Sequence, residues 1–176
     1  MEEQAAWLAL AYRSGMSDSV KREIALGPGA DASDYPPDVI EREAEDAQAL
    51  ADLGVRLIPI TDPDYPERLL MSQGPVVLQV AGRADLIDED GVEFIAGSGA
   101  KGRQELAERI ESGSRCVVVL SKGMLKAKSM LRALHEPLEY GQMALISAEP
   151  PRAAWGPIRD SHRDQLLAML SQESAG

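Results

Sequence analysis

One cysteine in 176 residues excludes an internal disulfide framework and points to a reducing compartment. Cys116 lies in the apolar run 116–120, so its expected role is that of a packed core thiol. Aromatic residues are scarce, with one Phe, two Trp and four Tyr, which leaves few candidates for stacking nucleic-acid bases. The two histidines, His135 and His162, are far apart and show neither metal-ligand spacing nor a nucleophile pattern. No pair of carboxylates is placed as a general acid and base. The expectation is therefore a protein without catalysis, metal or cofactor. Long apolar runs are missing too. The first residues, "MEEQAAWLALAY", carry acids where an export signal needs a basic region, and their apolar run breaks off too soon to span a bilayer. A cytoplasmic protein with no membrane partner is expected.

Acid is abundant, but unevenly placed. The chain has a net charge of −11. Residues 1–100 hold 7 basic and 20 acidic side chains, net −13, whereas residues 101–176 hold 11 and 9, net +2. Between Lys101 and Arg132 stand eight basic residues (101, 103, 109, 115, 122, 126, 128 and 132) against three acids (105, 108 and 111), a local +5. The whole surface is unsuited to non-specific contact with a polyanion, and a phosphate-bearing ligand belongs with that local excess.

Patterning divides the chain into a helical N-terminal region, 1–54, and an α/β region, 55–176. Ala5, Leu8, Ala9 and Tyr12 recur at helical spacing with Trp7 beside the stripe, and Ser17 or Asp18 is placed to cap a second helix. Residues 26–38, rich in Gly, Pro, Ser and Asp, predict a loop. Residues 39–53 predict a helix with Ile40, Ala44, Ala47, Leu50, Ala51 and Leu53 on one broad side and Gly54 as its stop. Beyond it, the short apolar runs 55–60, 76–80, 92–95, 116–120 and 143–146 alternate with helical or turn segments, the signature of an α/β sheet. Residues 92–120 form a βαβ unit in which Leu106, Ala107 and Ile110 should face the sheet. Asp85, Asp88, Glu89 and Asp90 have the character of a solvated turn.

The stretch "EFIAGSGAKGRQELAERI" carries the chemistry. Gly97, Gly99 and Gly102 satisfy G-x-G-x-x-G after a predicted strand and before a predicted helix. Glycine lets backbone N–H groups approach phosphate at the positive end of a helix. Ser98 suits a hydrogen bond to a phosphate, and Lys101 and Arg103 suit charge contacts. Ser121 and Lys122 stand where a dehydrogenase keeps an acid for the ribose, which argues against that class. Arg103 and Gln104 replace the Lys and Ser/Thr of a Walker A loop, so a nucleoside triphosphatase is not expected. A turn that merely lets a helix pack close to the sheet remains a second reading of the same glycines. Lys122, Lys126, Lys128 and Arg132 likewise form either a solvated helix face or a phosphate-contacting rim.

Three stretches together resemble one family. "GVRLIPITDPDYPERLLMSQGPVVLQVAG" resembles the segment before the core of the DprA/Smf DNA-processing family, with Asp62, Tyr65, Pro66, Leu69, Pro75, Leu78 and Gly82 carrying the match. "GSGAKG" resembles the family's S-G-x-A-[KR]-G-I-D loop through Gly99, Ala100, Lys101 and Gly102. "RCVVVLSKGML" and "MALISAEPP" resemble its later strands, and the N-terminal "AWLALAYRSGMSDSVKREI" its small helical domain. The chain departs from the pattern in Gly97-Ser98, in Arg103-Gln104 and in Arg163-Asp164. Only "RADLIDED" stands where the family's first strand and V-G-[ST]-R motif belong.

The resemblance implies a Rossmann-like three-layer sheet domain of the SLOG-like superfamily, truncated and preceded by small helices. It also implies a cytoplasmic protein that binds single-stranded DNA and helps load a recombinase during transformation, with homodimerisation through the sheet domain. The expected phosphate or DNA contacts are Gly97, Ser98, Gly99, Lys101, Gly102, Arg103, Lys122, Lys126 and Arg163. Two alternatives stand beside this: a Rossmann-like protein that binds a small nucleotide at the same loop, and a degenerate paralogue acting through protein contacts.

Overall fold

In a computed structural model of the protein, the described residues are 2–52, 54–72, 74–96, 99–113, 115–120 and 143–147, with the backbone alone for 96, 99–103 and 110. Three helices come first: α1 (Glu2–Ala11), α2 (Asp18–Leu26) and α3 (Pro37–Asp52). Ser17 caps α2, its hydroxyl accepting from the Val20 N–H at 3.3 Å. Gly54 ends α3 with φ +84°, a left-handed turn that a residue with a Cβ rarely adopts.

Helix α1 is not amphipathic in the way the spacing predicts. Six consecutive residues, Ala5 to Leu10, are buried, because α3 covers one side of the helix while another touches β2. In α3 the buried positions are Glu43, Asp46, Ala47 and Leu50, while Ala51 is exposed. The inward face is therefore rotated from the apolar side expected, and it takes in two acids.

The remainder is a mixed sheet of five strands, so the α/β, Rossmann-like class expected from sequence is the class observed. Strands β1 (Arg56–Pro59), β2 (Val77–Gly82), β3 (Glu93–Ala96), β4 (Cys116–Val119) and β5 (Met143–Ser147) stand in the order β1-β2-β5-β4-β3. β3, β4 and β5 are parallel neighbours, and β2 runs antiparallel to both β1 and β5. Helix α5 (Gly99–Ser112) links β3 to β4, completing the βαβ unit. Leu106 is buried as expected, but Ala107 is exposed. One apolar core joins the helices to the sheet, with Leu8 and Leu10 packed in the same cluster as Ile58, Val80, Val117 and Ile146.

Two short elements fill the connections. Helix α4 (Glu67–Met71) follows β1, and a 3-10 turn, Ala84–Asp88, follows β2. That turn occupies the segment where the resemblance calls for a strand and a helix. Its Leu86 and Ile87 are fully buried, so it is anchored as part of the core.

Candidate functional site

The glycine motif falls at the junction between β3 and α5. Parallel pairing brings Ala96 opposite Val119 and Val119 opposite Ile146, so three strands end along one rim of the sheet. In open α/β sheets this carboxyl end is where ligands bind. Gly99 is the first residue of α5, and Lys101, Gly102 and Arg103 follow within its opening turns. Gly102 is thus in helical backbone and makes no left-handed turn. Gly97, Ser98, Lys122, Lys126 and Arg163 lie outside the described residues, as do His135 and His162.

Two of the basic residues counted around the motif lie at the other end of the parallel strands, where β3 and β4 begin, and are already paired. Arg109 of α5 is ion-paired with Glu93 of β3, and Arg115, just before β4, with Glu89. These contacts tie the βαβ unit to its entry strand and to the preceding turn. Lys101 and Arg103 are the described positions left to argue the phosphate reading.

The acidic turn expected to be merely solvated is a hub of contacts. Asp88 accepts from the backbone N–H groups of Glu67 at 3.0 Å and Arg68 at 2.9 Å, supplying the N-terminal cap that Pro66 cannot give α4. Asp85 is bonded to the Arg83 guanidinium at 2.8 Å, and that bond holds its carboxyl below the usual range. Asp90 lies 3.9 Å from Arg68, whose guanidinium also sits over the Phe94 ring at 6.0 Å.

The residues carrying the most extended family-like stretch are structural. The Tyr65 hydroxyl donates to the Pro75 carbonyl at 2.6 Å, and burial pushes its pKa up to about 12. Asp62 turns the chain toward Tyr65 by accepting from Asp64 N–H through its carboxylate at 2.8 Å and from Tyr65 N–H through its backbone at 2.9 Å. Gly74 fits only because it has no side chain. A Cβ there would stand 2.7 Å from the Tyr65 hydroxyl and 2.8 Å from the Leu69 carbonyl oxygen. Sequence reasoning had the signal in Tyr65, Pro66 and Pro75 but gave it no geometry.

Cys116 is fully buried on β4, and burial pushes its thiol up to about 11, so it has no thiolate to offer chemistry near neutral pH. Among the described residues no group of three His, Cys, Asp or Glu is gathered to hold a metal, and no helix is long and apolar enough to cross a membrane.

The fold and its rim thus define an α/β protein of Rossmann-like build with a glycine-bearing strand–helix junction. No protein-family model matches the chain, and no curated protein sequence does. A solved structure similar to it is that of DNA processing protein A (DprA) from Streptococcus pneumoniae, at 17% identity and a TM-score of 0.40, covering 97% of this chain and 75% of the other.

Proposed function

We propose that the protein binds single-stranded DNA through its phosphates at the β3–α5 junction, without catalysis of its own, and supports recombinase loading in DNA uptake and recombination. The observation that carries this reading is the placement of the G-x-G-x-x-G stretch. Its described part, Gly99 to Gly102, opens a 14-residue helix that follows a parallel strand, beside the ends of two further parallel strands. Backbone N–H groups at such an end attract phosphate, and Lys101 and Arg103 add two positive charges to the same turns. The sequence resemblance to the DprA/Smf loop, through Gly99, Ala100, Lys101 and Gly102, supplies the choice of DNA among phosphate-bearing ligands.

Titration of a labelled single-stranded oligonucleotide at two salt concentrations tests it. Each phosphate neutralised on a single strand contributes a slope of about −0.7 to the logarithmic salt dependence. Binding should weaken steeply with salt and be abolished by the pair Lys101→Glu and Arg103→Glu. Absence of binding at low salt defeats the DNA reading. Saturable, salt-insensitive binding of a nucleotide at the same loop would replace it with a small-ligand function.

A further inference from the structure

The described arginines are mostly neutralised within the fold. Arg42, Arg56, Arg68, Arg83, Arg109 and Arg115 each meet a carboxylate, and Arg13 lies over the Tyr35 ring at 5.7 Å. Lys21 and Arg22, adjacent on α2, differ. Neither is ion-paired among the described residues. The Lys21 ammonium donates to the Ala11 carbonyl at 2.8 Å, and the Arg22 guanidinium donates to the Gly74 carbonyl. Both carbonyls belong to walls of one cleft of about 360 Å³, between α2, the end of α1 and the start of β2. In a chain of net charge −11, two adjacent cations thus line a cleft whose one described carboxylate, Asp18, is ion-paired with neither.

We infer that this cleft, lined by Lys21 and Arg22 over a floor of Pro75, Val76 and Val77, is a binding site for a small phosphate monoester. The charges match, because a phosphate monoester carries about −1.5 to −2 near neutral pH. So do the donors. An ammonium has three N–H groups and a guanidinium five, so after one bond each to a backbone carbonyl several remain for the phosphate oxygens. Backbone anchoring also holds the two heads in place before a ligand arrives, which reduces the ordering cost of binding. The half-buried Pro75 supplies the apolar surface of the floor, with Val76 and Val77 enclosed beneath it. At the rim, Ser19 and the Asp18 carboxylate suit a hydroxyl-bearing body. The volume is near the lower end of ligand pockets, about 300–1,000 Å³, and fits a mononucleotide-sized molecule, not a polymer. The site lies in the helical region and the antiparallel part of the sheet, apart from the β3–α5 junction.

Calorimetric titration with adenosine monophosphate and with inorganic phosphate, using adenosine as the control, tests this. The first two should bind saturably and adenosine should not. In amide NMR spectra the responding signals should be those of Val76 and Val77. Lys21→Gln should weaken binding at least tenfold with an unchanged melting temperature, while Lys101→Glu leaves it intact. Arg22→Gln also removes a tie to Gly74, so Arg22→Lys is the companion variant and should retain most of the affinity. Absence of saturable binding to either phosphate compound, or affinity unchanged in Lys21→Gln, overturns the inference. So does loss of binding in Lys101→Glu, which would place the phosphate at the junction.

Discussion

Two glycine-bearing segments of this protein, one at the β3–α5 junction and one before β2, stand in different surroundings. At the β3–α5 junction Gly99 and Gly102 sit in helical backbone, beside basic residues, at the rim where parallel strands end. At the turn before β2, Gly74 stands alone. It is hemmed in by the Tyr65 hydroxyl and by Leu69, whose carbonyl oxygen also accepts its N–H at 2.7 Å. The first glycines open a helix, while the second closes a packed corner. The sequence alone did not show that Gly74 is confined, and the atoms that a Cβ there would meet do.

The contrast can be broken most forcefully at Gly74. Gly74→Ala should destabilise the fold by about 1–3 kcal/mol, because the atoms in the way include a backbone carbonyl that cannot rotate aside. Chemical denaturation reads this, and an unchanged midpoint would mean the corner is looser than its distances indicate. Next in size is Tyr65→Phe. Removing the hydroxyl strands the Pro75 carbonyl and should cost about 1–2 kcal/mol. Because the folded pKa is raised above the ordinary value of about 10, the tyrosine's contribution is complete below pH 10 and fades as pH rises toward about 12. The wild type should therefore lose stability over that window more steeply than the Phe variant, and parallel melting curves would contradict the assignment. Smallest, and opposite in sign, is Gly102→Ala. In a helix interior this change should stabilise by about 0.5–1 kcal/mol. If the junction cradles phosphate, the same variant loses oligonucleotide affinity while gaining stability. A gain in stability with unchanged affinity would assign Gly102 to neither turn's purpose.

Much of the fold was legible because the signals are local. Ser17 and Gly54 mark helix ends through their own chemistry, and the five apolar runs became the five strands within one or two residues. Strand direction was not legible, since β2 is an almost wholly buried run that reads the same whichever way its neighbours run. Helix α4 escaped for another reason. Five residues make no periodicity, and its cap, Asp88, comes from 20 and 21 residues away from the N–H groups it receives. Helix α1 was misread as striped because covering on several sides is a tertiary fact. At the candidate junction the motif located the strand–helix corner correctly. The charge count around it could not reveal that Arg109 and Arg115 are committed to Glu93 and Glu89. The Lys21–Arg22 cleft was invisible for the same reason, as Arg22 reaches a carbonyl 52 residues away.

The buried thiol of Cys116 has a practical consequence. A reagent that modifies accessible thiolates near neutral pH should leave the folded chain unmodified, because the one cysteine is both enclosed and protonated. The native protein is thus a blank background for labelling. A cysteine introduced at Met71, which is 81% exposed on α4 a few residues from Gly74, would take a fluorophore alone and report on the nearby cleft without any native residue having to be removed.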